Sequence, residues 1–306
     1  MKISFLVAAH NEEKLIAQTL ENLLKIPYNN FEIIVGLDGC TDKTEEIVKK
    51  YSSSHKKIKY YTLNLRSGKP AVINNIIKKS TGEILLIHDA DWLFENIDKN
   101  KFSKLLSVFK DKKIGGIAEA FPMEWHKNNL KNANFGYKMI ANSTYCWMES
   151  EKKKYSIEKD GLHYLMNPAM FMTNIMRKSL FKPNTSLGDD FERTRDILDQ
   201  DSEVVFFDNW TMPRRRTSYN KISVRDLFKQ KIRTAIARNQ LSKKNNKLPK
   251  RYYSKSILGT LIESIKNGFA PFGYTLYWVA LTGIASIIAE FKKLNTKEGW
   301  SLRAKR

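Results

Sequence analysis

Three acidic segments follow apolar runs in the first 91 residues. Asp89-Ala90-Asp91 leaves Glu83–His88, Asp38-Gly39-Cys40-Thr41-Asp42 leaves Phe31–Leu37, and His10-Asn11-Glu12 leaves Ile3–Ala8 with Ala9 between them. Alternate residues at the end of a strand present two carboxylates at one edge. Such hard oxygen donors suit Mg2+ or Mn2+, which bind one or two protein carboxylates together with substrate phosphates. Taken singly, an acid at a strand end is a turn residue or a helix cap, the role expected of Asp42. A further pair, Asp189-Asp190, stands before a helical stretch, where it is either a cap or a carboxylate that accepts a proton from a reacting hydroxyl. No histidine follows His163, so the C-terminal third supplies no histidine ligand.

The elements that must position these groups are legible in part. Ile3–Ala8, Phe31–Leu37, Ile58–Thr62 and Glu83–His88 are short and rich in Ile, Val, Leu and Tyr, as buried strands are. Between them, Leu15, Thr19, Leu20, Leu23 and Leu24 share a helical face, Asp42–Tyr51 opens with acids, and Pro70 starts a run through Lys79. This alternation predicts an α/β fold, an open and mostly parallel sheet with helices on both faces. Ligands bind at the carboxyl ends of such strands, so the three acidic segments should meet in one crevice. Beyond them, strands are predicted at Ile114–Ala120 and Glu203–Phe207 and a helix at Phe191–Leu198. Asn128–Glu151 shows no clean period, and Tyr164–Thr173 is apolar around Asn167-Pro168.

The chain of 306 residues carries 53 Lys+Arg against 32 Asp+Glu, a net +21, with 42% hydrophobic and 11% aromatic residues, enough for a real core rather than a disordered basic tail. Residues 211–306 hold 22 of the basic residues and 4 of the acids, and Arg214–Lys255 alone holds 15 basic residues against Asp226. That block fits phosphates of nucleic acid, lipid or substrate. A zinc-ligand set, an RNP-like strand and a basic repeat are all missing, which argues against nucleic acid. After a predicted loop at Ser242–Lys250, Tyr253, Ile257, Leu258, Leu261, Ile262 and Ile265 recur at helical spacing beside Lys255 and Lys266, a basic amphipathic helix suited to a membrane surface. Gly268–Ala289 then runs 22 residues without a charge, long enough to cross a bilayer, although Pro271, Gly273 and Gly283 also suit a buried hairpin or a dimer contact. Basic residues flank both ends, so the positive-inside rule sets no topology. Cys40 and Cys146 form no disulfide framework and no signal-like n-region precedes Ile3, which predicts a reducing cytoplasmic setting.

The ordered set Val7-Ala8-Ala9-His10-Asn11-Glu12, Leu37-Asp38-Gly39-Cys40-Thr41-Asp42-Lys43-Thr44, Gly68-Lys69-Pro70-Ala71-Val72-Ile73-Asn74, Gly82-Glu83 and Asp89-Ala90-Asp91 resembles the signatures of family 2 glycosyltransferases of the GT-A fold. Gly188-Asp189-Asp190 resembles the family's Glu-Asp pair, and Gln230-Lys231-Ile232-Arg233-Thr234 its Gln-x-x-Arg-Trp motif, so the likeness spans residues 3 to about 234. Asp189 stands for the usual Glu and Thr234 for the usual Trp, which weakens a processive reading.

The resemblance implies a membrane-associated, inverting glycosyltransferase using Mg2+ or Mn2+ and a nucleotide sugar, UDP-sugar favoured and GDP-sugar possible. It implies a donor pocket of Ala8, His10, Glu12, Asp38, Lys69, Asp89, Ala90 and Arg233, with Asp38 on the base and Asp91 and Asp89 at the metal. Asp190 matches the general base, with Asp189 and Gln230 at or supporting the acceptor. Arg214-Arg215-Arg216 fits a clamp on the donor diphosphate or on an acceptor or membrane phosphate. Trp125, His126, Tyr145 and Trp147 suit core packing more than sugar stacking. The division expected is a donor half at 1–92, an acceptor half at 93–220 and a basic region at 221–306. The acceptor expected is a lipid-linked or growing glycan at the cytoplasmic membrane face. A polyprenyl (dolichyl) phosphate is the alternative, ahead of a sugar nucleotidyltransferase or a nucleic-acid-binding protein.

Overall fold

Ile3–Ala9 (β1) has no polar face, and all seven of its residues are buried, as in a strand covered on both sides. It lies inside a nine-stranded sheet of the computed structural model, which describes residues 1–95, 97–119, 130–169, 171–208, 212–217, 221–244 and 252–292. In chain order the elements are α1 (Ile16–Leu24), β2 (Phe31–Asp38), α2 (Thr44–Ser54), β3 (Ile58–Leu63), α3 (Lys69–Ile77), β4 (Ile84–Asp89), β5 (Trp92–Glu95), α4 (Lys99–Ser107) and β6 (Ile114–Glu119). There follow α5 (Phe135–Tyr155), β7 (Ser156–Lys159), β8 (Leu162–Leu165), β9 (Met172–Arg177), α6 (Asp189–Leu198), β10 (Glu203–Phe206), β11 (Arg214–Thr217), α7 (Val224–Lys244), α8 (Tyr252–Lys266) and α9 (Phe269–Phe291).

The strand order is β3-β2-β1-β4-β9-β6-β10-β8-β7. β1 pairs in parallel with β2 and β4, and β2 with β3, whereas β9 runs antiparallel to both β4 and β6. The chain therefore grows outward from β1 through β2 and β3, then returns to place β4 on the other side. The switch point lies between β1 and β4, where Ala8 sits opposite Asp89. β5 leaves the sheet just after Asp91 and pairs with β11 as a separate ribbon, Arg215 opposite Phe94.

Alternation along β1 builds two cores. Ile3, Phe5, Val7 and Ala9 pack with α1, α2 and α4 through Leu20, Leu23, Val48 and Phe102. Leu6 and Ala8 face the opposite side, with Val72, Ile73 and Ile76 of α3, Met148 of α5 and Ile197 of α6. Each fully buried side chain of this kind contributes roughly 1.5–3 kcal/mol. A Cβ on Gly36 of β2 would stand 2.3 Å from Val72 Cγ1, so this glycine sets how closely α3 approaches the sheet.

Three expectations change. Asn128–Glu151 shows no period, yet residues 135–155 form α5, with 128 and 129 outside the described residues. Its buried positions include Tyr137, Met139, Ala141, Ser143, Cys146, Met148 and Glu151, because it packs against the sheet, α8 and α9 at once and has no single apolar stripe. The apolar stretch 164–173 is two strands, with a cis Asn167-Pro168 bond between them. The loop expected from Ser242 begins later, since α7 runs through Lys244, and 245–250 fall outside the described residues.

Candidate active site

The carboxyl ends of β1, β2 and β4 and the first turns of α3 and α6 form one corner. The loops after β1 and β2 are tied together. His10 Nδ1 lies 2.6 Å from the Asp38 carbonyl, Thr41 N donates to Asn11 Oδ1 at 2.8 Å, and Glu12 N donates to Thr44 Oγ1 at 2.7 Å. Asn11 takes φ 54°, in the left-handed region that asparagine tolerates. Asp42 accepts from Thr44 N at 3.0 Å, as a cap does, and from Glu13 N at 3.1 Å.

Ala8 and Ala90 turn their methyls into the two cores, so at both positions only backbone is offered to the crevice. The Ala90 carbonyl accepts from Thr19 Oγ1 at 2.6 Å, which pins the turn between Asp89 and Asp91. Asp38, expected on a base, is fully buried: its carboxylate accepts from Ser67 N at 2.6 Å and Gly68 N at 2.8 Å. It thereby holds the chain at Gly68, whose φ of 87° favours glycine, and sets where α3 begins.

Lys69, the first residue of α3, reaches Asp89 Oδ1 at 2.7 Å and Asp189 Oδ2 at 3.7 Å. Asp189 also receives Arg193 Nη1 at 2.7 Å, one turn along α6. Burial would raise the Asp189 pKa, but Lys69 and then Arg193 outweigh it and hold the carboxyl below its ordinary value. Asp190 moves the opposite way, raised first by burial and then by the neighbouring Asp189 charge. A carboxylate with a raised pKa is a stronger proton acceptor, so this pair holds one fixed anion and one basic partner.

Asp89 and Asp91 stand two residues apart at the end of β4, Asp89 with 36% of its side chain exposed and Asp91 at 1%. No group of three His, Cys, Asp or Glu residues able to enclose a metal occurs among the described residues. Two hard carboxylates without a third protein ligand fit an ion that completes its shell on substrate phosphates and water, as Mg2+ and Mn2+ do.

Gln230 and Arg233 lie on α7, which buttresses the start of α6. Gln240 Oε1 accepts from Leu187 N at 2.9 Å, and Ala237 and Leu241 approach so closely that a Cβ on Gly188 would meet them at 3.3 and 3.2 Å. Arg233 is one turn and Gln230 two turns before Ala237 on that face.

Sequence reasoning missed a buried polar string beside this corner. Arg215, read with its neighbours as a phosphate clamp, is instead 5% exposed and ion-paired with Glu119. It also donates to the Ile87 carbonyl at 3.1 Å and lies over the Trp92 ring. Its Nη1 faces His88 Nδ1 at 3.3 Å, while His88 Nε2 donates to the Trp92 carbonyl at 2.8 Å. Burial, followed by the Arg215 charge, pushes the His88 pKa down to about 3 and keeps the ring neutral. Arg216 pairs with Glu95 across the ribbon; the Arg214 side chain is outside the described residues, as are Trp125 and His126. Trp147 is a packing residue, its Nε1 on Ser256 Oγ at 2.9 Å and its ring against Phe191, and Tyr145 packs on the same core. No spacing rule pairs Glu119 with Arg215, since the first ends a short apolar strand and the second sits inside a run of three arginines that reads as a phosphate-binding block.

Comparison with known proteins places this corner in context. The family model described as Glycosyl transferase family 2 matches residues 4–182, more than half of the chain. A poly-beta-1,6-N-acetyl-D-glucosamine synthase of Staphylococcus epidermidis is 32% identical over 115 residues, 38% of this chain and 27% of the relative. A beta-monoglucosyldiacylglycerol synthase of Nostoc is 29% identical over 119 residues, 38% of this chain and 25% of the relative. The matches thus span about a quarter of the length of these relatives. A mannosyltransferase from Pyrobaculum calidifontis, solved with GDP-Man and Mn2+, superposes with a TM-score of 0.58 at 17% identity, over 95% of this chain and 86% of that one. The sheet and its flanking helices are those of the GT-A fold.

Proposed function

This chain belongs to glycosyl transferase family 2, and from that premise we propose that it moves a sugar, with inversion, from a nucleoside-diphosphate sugar to a hydroxyl of a lipid-linked or growing glycan. The observation that carries the reading is the acid pair at the start of α6, with Asp189 held by Arg193 at 2.7 Å and facing Lys69 at 3.7 Å, and Asp190 next to it. Residues 1–92 supply the donor side and 93–220 the acceptor side, meeting across Lys69.

In this reading Asp190 accepts the proton of the attacking hydroxyl as the new bond forms at the anomeric carbon. Asp189, held by Arg193, keeps its charge and orients the acceptor. Lys69 donates to the departing diphosphate. Asp89 and Asp91 would hold Mg2+ or Mn2+, which supplies neutralisation of the leaving group. UDP-sugar is the favoured donor and GDP-sugar the other. The experiment is a thermal-shift panel of UDP-glucose, UDP-N-acetylglucosamine and GDP-mannose with Mn2+, followed by transfer assays on Asp190→Asn. A donor-dependent rise in Tm and loss of transfer to a hydroxyl acceptor are expected. Transfer that survives in Asp190→Asn points to a phosphate acceptor, which is already anionic and needs no base.

In this reading the reaction takes place at the cytoplasmic face of a membrane, and the apolar C-terminal helices support the membrane part. α9 is long and apolar enough to cross a bilayer. It instead runs along α7 and α5 with Thr275, Thr282, Ala285 and Ala289 turned inward, while Leu276, Ile284 and Ile287 face out. Leu258, Ile262 and Ile265 of α8 are also exposed. A helix packed on charged helices along its length suits lying in the interface, with lysines such as Lys255 and Lys266 on lipid headgroups.

A further inference from the structure

The geometry points to Asn174 as a polarity-sensitive connector through which the buried Arg215–Glu119 pair positions Asp189-Asp190 for catalysis. The inference rests on the reading of that acid pair as base and support.

The connection is continuous and buried except at Glu119, whose side chain is 18% exposed. Arg215 on β11 pairs with Glu119 at the end of β6. Asn174 Nδ2 on β9 donates to Glu119 Oε2 at 3.1 Å, and Asn174 Oδ1 accepts from Arg193 Nη2 at 2.6 Å. Arg193 also donates from Nε to the Thr173 carbonyl at 2.8 Å and from Nη1 to Asp189 Oδ2 at 2.7 Å. Exposure is 5% at Arg215, 8% at Asn174, 1% at Arg193 and 5% at Asp189.

Asn174 makes the string directional. Its amide has one accepting and one donating end, and here the donor meets a carboxylate while the acceptor meets a guanidinium. A flipped amide would set NH2 against Arg193 and oxygen against Glu119, two repulsive contacts in a low-dielectric interior. Glu119 thus fixes which end of Asn174 faces Arg193, and Arg215 fixes Glu119. Arg193 in turn decides where the Asp189 carboxylate stands and, through its charge, what Asp190 feels. Arg215 reaches the donor side as well, because its bond to the Ile87 carbonyl and its contact with Trp92 bracket the Asp89–Asp91 turn. One buried side chain therefore links the turn proposed to carry the metal with the acid pair.

The test exchanges the two polar ends. Glu119→Gln and Asn174→Asp are made singly and together in the full-length protein. Glu119→Gln keeps an oxygen for Asn174 and Arg215 but removes the charge that pairs with Arg215, and Asn174→Asp sets two carboxylates together. In the parent one oxygen, Glu119 Oε2, holds both Asn174 and Arg215. In the double variant the introduced Gln amide therefore pivots to set its NH2 on the introduced Asp and its oxygen on Arg215, while that Asp accepts from Arg193. The readouts are kcat and KM for nucleoside-diphosphate release from UDP-glucose, UDP-N-acetylglucosamine or GDP-mannose with Mn2+ and a total lipid extract, the Kd of the free nucleoside diphosphate, and Tm.

Asn174→Asp is expected to lower kcat about tenfold or more and Glu119→Gln about threefold or more, while Kd moves less than about threefold in each. The double variant is expected to recover kcat to within about threefold of the parent, with a parallel recovery of Tm. Singles that leave kcat unchanged, or a double whose Tm recovers without kcat, overturn the proposal. If Asp190→Asn is as active as the parent, the functional reading fails instead, and that variant separates the two failures.

Discussion

Asp189 and Asp190 are adjacent in the chain and face the same two cations, yet their acidities move in opposite directions. Asp189 is in contact with Arg193 at 2.7 Å and within 3.7 Å of Lys69, whereas Asp190 is raised by burial and by Asp189 itself. Losing its base should cost Asp190→Asn roughly 100-fold or more in kcat for a hydroxyl acceptor.

A pH profile follows from the same pair. Asp190 must be deprotonated to act, and its pKa is raised, so the acid limb of kcat/KM should lie above the ordinary carboxylate range. Asp189→Asn removes the repelling charge and leaves Lys69 and Arg193 less neutralised, and both changes favour the Asp190 anion. The limb should therefore move to lower pH. A limb that stays in place or moves upward, measured between pH 4 and pH 8, would remove Asp190 from the base role.

Lys69 joins the first turn of α3 to the end of β4 through its 2.7 Å contact with Asp89. A charge-assisted bond from this ammonium to a diphosphate is worth about 1.5–3 kcal/mol. Lys69→Met should weaken nucleoside-diphosphate binding about tenfold or more, read by titration calorimetry with Mn2+. An unchanged Kd would confine Lys69 to its two acids.

The parts legible in the sequence were those whose signal is local. β1, β2, β3 and β4 are runs of apolar residues, and Asp89 and Asp91 follow one of them, so pattern alone put them at a strand's carboxyl end. Asp38 ends β2, next to the apolar run, but nothing in a sequence tells whether a carboxylate faces solvent or the amides of Ser67 and Gly68. α5 was illegible because three partners bury it from several sides. Arg215 was misread because its charge meets Glu119 across 96 positions of chain, a pairing that no local period records.

The outward face of α8 and α9 carries a membrane prediction. Burying the Ile284 and Ile287 side chains in acyl chains is worth roughly 1.5–3 kcal/mol each. Replacing both with Asp should lower co-sedimentation with phosphatidylglycerol vesicles about 100-fold or more, while the donor-induced Tm rise stays in place. Binding by the parent should weaken as salt rises and on phosphatidylcholine alone, because the basic residues contribute electrostatically. Equal sedimentation of parent and variant would sink the interfacial reading of α9.

Glu32 makes a separate prediction about the fold, at the amino end of β2, away from the acid pair. Its Oε1 accepts from Ser4 Oγ at 2.8 Å, Thr81 N at 2.6 Å and Thr81 Oγ1 at 2.8 Å, and its Oε2 meets Lys59 at 3.1 Å. Burial opposes the charge, but these bonds prevail and lower the pKa from 4.5 to about 2. The folded protein then binds this proton less tightly than the unfolded chain does. The resulting stability, about 3 kcal/mol, is fully present above the unfolded value and is lost as pH falls toward 2. Glu32→Gln should lower neutral-pH stability by a few kcal/mol and flatten its dependence between pH 4.5 and pH 2, measured by urea unfolding at a series of pH values. A variant that keeps the parent's slope across that window would show that Glu32 is not the group responsible.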